Sequence, residues 1–254
     1  MSGILVIDIG NTATTLGMAG SSRVTRMRSC LTAKTSASAA RRLIRDVCAR
    51  RNVSGASIAS VVPAKTGLWK DAVAGECERS AFVVTHRARM NITIDYPKPA
   101  TIGADRLAAA CGAVCRHQAP VLVADFGTAL TIDGITSDGA YVGGVIVPGL
   151  SFMTDYLAEK TALLPRIELR HDKRTIGRST EQAMQSGARL GYRGMVKEIV
   201  QEIQKDKRFT KATLCATGGH AAWATRESSL PFRLEPDLML YGLARIYELN
   251  SQPS

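Results

Sequence analysis

Aromatic residues are scarce, at 5% of a 254-residue chain. A protein that grips nucleic acid interleaves aromatics with its basic residues for stacking, so no specific nucleic acid is expected as a partner. Long apolar runs are missing too. No stretch of about eighteen uncharged apolar residues appears, so no membrane is expected as a partner. The N-terminal apolar run has no basic segment before it and ends in Asp8, unlike a signal peptide. The six cysteines (Cys30, Cys48, Cys77, Cys111, Cys115, Cys215) form no Cys-x-x-Cys pair. The four histidines (His86, His117, His171, His220) stand apart, without zinc-ligand spacing. Reduced thiols, no structural metal and a cytoplasmic location are the expectations.

Acidic residues are outnumbered, 22 against 33 Lys and Arg, which leaves a net charge of +11. The excess gathers at Arg41, Arg42, Arg45, Arg50 and Arg51, and again over residues 166–178 and 205–211. Without aromatics beside it, this reads as a solvated basic surface that also draws in anionic small molecules.

The length suits two domains of ordinary size, and an internal repeat agrees. Six of the fourteen residues in Ile4–Gly17 recur 117 positions later. Leu5, Val6, Asp8, Gly10, Thr14 and Gly17 reappear as Leu122, Val123, Asp125, Gly127, Thr131 and Gly134. Each copy reads as a buried strand entering Asp-x-Gly-(Asn/Thr), followed by a Thr-rich strand. In such a hairpin the glycine lets a phosphate reach the backbone, hydroxyls and amides donate to its oxygens, and the Asp holds a charge-balancing cation. Asp-x-Gly alone also marks ordinary turns. Two copies a domain apart point to a duplicated fold with one nucleotide between the halves.

Strands are expected at Ile4–Ile9, Thr14–Ala19, Val24–Leu31, Ser57–Val62, Phe82–Thr85, Val121–Asp125, Ala129–Ile135, Tyr141–Val147 and Thr213–Ala216. Helical periodicity or composition marks Ala37–Arg50, Leu68–Cys77, Ala104–His117, Leu150–Thr161, Thr180–Gln204 and Asp237–Leu249. Strands precede helices twice over, which gives an α/β protein in two similar halves, 1–118 and 119–254.

The first hairpin, Asp8-Ile9-Gly10-Asn11-Thr12-Ala13-Thr14-Thr15, supplies a carboxylate, an amide and three hydroxyls around a glycine. Phosphoryl transfer needs such donors, with Mg²⁺ to absorb charge; a polar β-turn is the plainer alternative. Its partner, Asp125-Phe126-Gly127-Thr128-Ala129-Leu130-Thr131, favours phosphate. Gly103-Ala104-Asp105-Arg106 starts a helix after a proline-bounded loop. Asp105 is there either an ordinary first-turn carboxylate or a base that orients a substrate hydroxyl, with Arg106 fixing a polar end. On residues alone the ordinary reading prevails. Gly143-Gly144, Pro148-Gly149 and Thr217-Gly218-Gly219 bring backbone close to something, and Ser179 with Gln182 resembles a capping box. Tyr96 and Trp223 taken singly read as packing residues.

In order along the chain, Asp8-Ile9-Gly10-Asn11-Thr12, Tyr96-x-x-Pro99, Gly103-Ala104-Asp105-Arg106 and Asp125-Phe126-Gly127-Thr128 resemble type III pantothenate kinase. Gly143-Gly144-x-x-x-Pro148-Gly149, Thr161-x-x-Leu164-Pro165, Ile176-Gly177-x-Ser179-Thr180 and Ala216-Thr217-Gly218-Gly219 agree, so the resemblance runs from about residue 4 to 249. It implies an acetate/sugar-kinase, actin-like fold of two ribonuclease-H-like domains with a nucleotide cleft between them. It also implies a homodimer whose interface helps enclose the pantothenate pocket. By the same resemblance, Asp8, Ile9, Gly10, Asn11, Thr12, Ala13, Thr14, Thr15 and Thr128 contact ATP, with Mg²⁺ near Asp8 through water. Asp105 is the implied proton acceptor. Tyr96, Gly103, Ala104, Asp105, Arg106 and Thr180 are the implied pantothenate contacts. Asp125 is the implied ligand of a monovalent cation, potassium or ammonium.

Two departures stand out. Leu130 replaces the usual Thr, which removes a hydroxyl near the phosphates and is expected to weaken ATP binding. Pro97-Lys98 follows Tyr96 where Asp-Asn is common, which alters the mouth of the pantothenate pocket. The implied activity is ATP-dependent phosphorylation of pantothenate to 4′-phosphopantothenate, the first step of coenzyme A biosynthesis. The rivals are a kinase of another small hydroxyl metabolite and a non-catalytic regulatory or nucleic-acid-binding descendant. Retention of Asp8, Asp105 and Asp125 together counts against the latter.

Overall fold

The apolar run Ile4–Ile7 opens a central strand that continues through Asp8 to Ile9, and Leu5, Val6, Ile7 and Ile9 are all fully buried. A strand covered on both faces is written as such a continuous run. The computed structural model describes residues 3–49, 51–170 and 173–251, so Arg50 and His171 of the sequence reading lie outside the described residues. The chain forms two compact units. Unit 1 comprises Met1–Gln118, Asp138–Val142 and Asp237–Ser254; unit 2 comprises Ala119–Ser137 and Gly143–Pro236. This division departs from a cut at 118/119, because the closing segment and a short piece of the second half belong to unit 1.

Unit 1 holds β1 (Gly3–Ile9), β2 (Ala13–Ala19), β3 (Val24–Leu31), α1 (Ala37–Cys48), β4 (Val53–Ser60), α2 (Pro63–Cys77), β5 (Ala81–Val83), β6 (Thr93–Ile94) and α3 (Ala104–Arg116). Its sheet has the order β3-β2-β1-β4-β5, antiparallel through β1–β3 and parallel through β1, β4 and β5. Ile44 and Val47 of α1 and Trp69 and Val73 of α2 pack with Leu5, Ile7, Leu16 and Ile58 of the strands. Pro63 does more than stop a strand. It stands at the first turn of α2, where its missing N–H and fixed φ fit, so the helix starts earlier than Leu68.

The alanines of α3 are explained by its neighbour, the terminal helix Leu238–Ser251. A Cβ at Gly112 would lie 3.2 Å from the backbone N of Gly242, so the two helices cross backbone to backbone. Arg116 ties the start of that terminal helix: its guanidinium donates to both oxygens of Asp237, at 2.7 and 2.9 Å. The backbone N–H of Val24 donates to the same carboxylate at 2.8 Å.

Unit 2 holds β7 (Val121–Phe126), β8 (Ala129–Ile135), most of β9 (Ala140–Pro148), α4 (Leu150–Lys160), α5 (Thr180–Lys205), β10 (Thr213–Thr217), α6 (Ala221–Thr225) and β11 (Arg233–Leu234), and the terminal helix of unit 1 is α7. Its strand order is β11-β10-β7-β8-β9, with β7 and β8 antiparallel and β7, β10 and β11 parallel. Tyr192 and Val200 of α5 are fully buried, and Phe126 meets Tyr192 with ring centres 6.3 Å apart. Residues 140 and 141, which group with unit 1, pair in parallel with Thr93 and Ile94 of β6, a strand the sequence reading omits.

Candidate active site

Each hairpin is closed by its glycine. Gly10 N–H donates to Ala13 O at 3.1 Å, and Gly127 N–H donates to Ala129 O at 3.1 Å. The two turns differ in length. Ile9 pairs with Thr14 across Gly10–Ala13, whereas Phe126 pairs with Leu130 across Gly127–Ala129. The second turn is therefore one residue shorter. Asp8 faces Thr15, and Asp125 faces Thr131. Leu5, Val6, Asp8 and Gly10 correspond to their copies by register, but Thr14 and Gly17 do not. The constant offset of 117 is corrected to one that lapses at the turn, where a residue is missing.

In the first hairpin, Asp8 is only 8% exposed, Gly10 is half-buried, and Asn11 and Thr12 are exposed at the tip. Ile9 and Thr14 face inward. The Thr14 hydroxyl is fully buried, 2.9 Å from that of Thr32, which itself donates to Gly10 O at 2.7 Å. Thr15 meets Ser29 at 3.2 Å. The buried threonine thus braces the turn from behind, while Asn11 and Thr12 carry the accessible donors. Thr32 was not singled out from sequence, and only the pairing of β2 with β3 brings it near.

Asp105 sits in the first turn of α3, with Gly103 at the N-cap. Its Oδ1 accepts the Arg106 N–H at 2.7 Å. The carboxylate folds back over Gly103 so closely that a Cβ there would collide with it. Because Gly103 has φ −58°, space is what demands glycine, not backbone strain. Arg106 Cζ lies 5.9 Å from the centre of the Tyr141 ring, and Tyr96 meets that ring edge-on at 6.4 Å. Tyr141 is fully buried. Asp95 N–H donates to Tyr141 O at 2.9 Å, which seats Tyr96 alongside. The structure thus gathers Tyr96, Gly103, Ala104, Asp105 and Arg106, and adds Tyr141. No sequence signal marks Tyr141, since its place depends on a two-residue strand pairing.

In unit 2, Asp125 is half-buried and Thr128 exposed. Gly218 has φ +93°, and a Cβ on it would lie 2.7 Å from the Phe126 backbone and strike the Asp125 carboxylate as well. His220 N–H donates to Phe126 O at 3.1 Å, so the Thr217–Gly219 loop wraps the Asp125 turn. Gly149 N–H donates to Thr128 O at 3.1 Å from the other side. Burial, and secondarily the charge of Asp125, push the Tyr192 phenol above its usual range, so it stays a neutral donor. Leu130 is fully buried. It fills the core behind the turn, so the expected loss of a phosphate-facing hydroxyl is not what this position shows. Thr180, the first residue of α5, is exposed beside the N-cap Ser179. Ser179 Oγ accepts Gln182 N–H at 3.2 Å, and Gln182 reaches back to Arg178 N–H at 2.9 Å. The cap pairing is therefore present, displaced by one residue.

Among the described residues no cluster of three His, Cys, Asp or Glu could cage a metal. One carboxylate beside phosphate oxygens and water is the usual setting for Mg²⁺, and Asp8 fits it. Asp125 is the corresponding carboxylate of the second hairpin, facing Thr131.

A family model described as type III pantothenate kinase matches residues 4–202. The type III pantothenate kinase of Akkermansia muciniphila is 42% identical over 205 residues, covering 81% of this chain and 83% of the relative. That of Moorella thermoacetica is 32% identical over 254 residues, covering 98% and 100%. MreB 5 of Spiroplasma citri, solved with AMPPNP, superposes with a TM-score of 0.51 at 12% identity over 98% of this chain and 96% of that one. The fold is therefore actin-like.

Proposed function

The chain belongs to the type III pantothenate kinase family, and on that premise we propose how its residues divide the transfer of the ATP γ-phosphate to the primary hydroxyl of pantothenate. The product is 4′-phosphopantothenate. The carrying observation is the Asp105 carboxylate, held at a helix start and folded over Gly103, where any side chain would collide with it. From there it orients the acceptor hydroxyl and takes its proton as the phosphoryl group arrives. In a loose transition state, aiming the hydroxyl matters more than basicity.

Asn11, Thr12 and the Gly10 backbone hold phosphate oxygens, with Asp8 steadying Mg²⁺ through water. Ile9, Ala13, Thr14 and Thr15 keep that turn in shape. Thr128 adds a phosphate contact on the second hairpin. Bound there, the divalent ion screens the charge of the phosphates. Asp125 is assigned to a monovalent cation, potassium or ammonium. Tyr96, Gly103, Ala104, Arg106 and Thr180 bind pantothenate, with Arg106 paired to its carboxylate.

A homodimer is assigned to the face of α4, where Phe152 and Tyr156 stack at 5.1 Å while 52% and 46% exposed. Apolar patches of this kind mark association surfaces. A cytoplasmic location accords with the absence, among the described residues, of any helix long and apolar enough to cross a membrane. The test is ADP release across a panel of hydroxyl acceptors, with and without potassium. Pantothenate should stand out, and potassium should raise the rate; another preferred acceptor would overturn the substrate assignment.

A further inference from the structure

Away from the candidate active site, α1 and α2 end in Cys48 and Cys77. Cys77 packs against the core cluster that includes Cys48, and both thiols line the same surface cavity. Both helices stop on non-glycine residues in the left-handed region, Ala49 at φ 42° and Glu78 at φ 52°. A third such residue, Arg26 at φ 56°, sits where the β2–β3 pairing slips between Leu16↔Arg28 and Met18↔Thr25. The slip aims Arg26 at the end of α1. Its Nε donates to Val47 O at 2.9 Å and its Nη2 to Asp46 O at 2.7 Å.

A helix C-terminus ordinarily disfavours a thiolate. Here the guanidinium covers those carbonyls with positive charge. The neighbouring Cys77 thiol is the largest influence on Cys48; burial and Glu76 oppose it, Arg26 assists it, and the Cys48 thiol lies below its ordinary range. By contrast, burial holds Cys111 and Cys115 above theirs. A surface cavity of about 980 Å³ opens onto Cys48 and Cys77, lined by four arginines (Arg26, Arg45, Arg51, Arg79) against three carboxylates.

We propose that Cys48 and Cys77 are a redox site, oxidised to a reversible disulfide by an anionic low-molecular-weight disulfide that enters this cavity. The Cys48 thiolate attacks one sulfur of the incoming disulfide, forming a mixed disulfide and releasing one thiolate. Cys77 then gives its proton to solvent and attacks the Cys48 sulfur, which closes the Cys48–Cys77 bond and releases the second thiolate. Two protein thiols are oxidised and one small disulfide is reduced to two thiols.

The test treats the whole protein with oxidised glutathione, alkylates the remaining thiols and maps the peptides. The expected result is a linked Cys48–Cys77 peptide about 2 Da lighter than the two reduced peptides, restored by dithiothreitol. Cys77→Ser should stop at a glutathione adduct on Cys48. Arg26→Gln, which keeps a hydrogen-bonding group but drops the charge, should slow oxidation several-fold with pantothenate phosphorylation unchanged. Because Arg26 also braces α1, the Cys77→Ser adduct is the independent readout. Glutathione found only on Cys115 or Cys30, with Cys48 and Cys77 still alkylated, overturns the proposal.

Discussion

Arg106 lies over Tyr141, its guanidinium carbon 5.9 Å from the ring centre. The contact helps to set the direction of the guanidinium. Cation–π contacts contribute about 0.5–2 kcal/mol. Replacing Tyr141 by Leu should therefore raise KM for pantothenate about tenfold while changing kcat little. Tyr141→Phe keeps the ring and should stay near the parent value. Steady-state kinetics with pantothenate varied at fixed ATP separates the two.

Gly103→Ala tests the space over which the Asp105 carboxylate folds. The backbone there suits any residue, at φ −58°, yet the new methyl would displace the carboxylate. Expected is a fall in kcat of about tenfold or more, since small misplacements are costly to oriented reactions, with an unchanged melting temperature. Gly67→Ala, where no atom lies within 4 Å, is the control.

Gly218 and Gly219 are neighbours with opposite demands. At Gly218 a side chain meets both a φ of +93° and the Asp125 turn, whereas at Gly219 nothing lies within 4 Å. Gly218→Ala should destabilise by about 2–4 kcal/mol, as backbone strain and overpacking combine. Gly219→Ala should stay within about 0.5 kcal/mol. Paired denaturation curves decide it.

Asp237 makes folding sensitive to acid. Burial alone would raise its pKa, but the hydrogen bonds from Arg116 and Val24 more than offset that and hold it below the usual carboxylate range. A folded pKa below the unfolded value means stability that is present above the unfolded value and lost as pH falls through the folded one. Asp237→Asn should cost about 1.5–3 kcal/mol at neutral pH, and the deficit should shrink steadily below about pH 4. Urea titrations at several pH values measure both.

The architecture was legible where local pattern and burial agree. The apolar run at Ile4–Ile7 and the amphipathic α1 depend on neighbours in sequence, and so do the cap at Ser179 and the start of α3 at Ala104. What was hidden depends on pairing in space. Tyr141 joins Tyr96 and Arg106 only because β6 pairs with the start of β9. Thr32 braces the first turn only because β2 pairs with β3. The repeated hairpin misled for a related reason. Matching letters at one offset concealed a turn shortened by one residue, which only register exposes. Leu130 showed the converse, because substitution for a polar residue says little until its exposure is known.

Asp105 carries the proposed transfer, and single-turnover transfer from labelled ATP to pantothenate by the Asp105→Asn enzyme tests that role directly. The predicted result is a transfer rate lowered about 10²–10⁴-fold, with ATP and pantothenate still bound and the melting temperature unmoved. Transfer at near the parent rate would contradict the role given to this carboxylate.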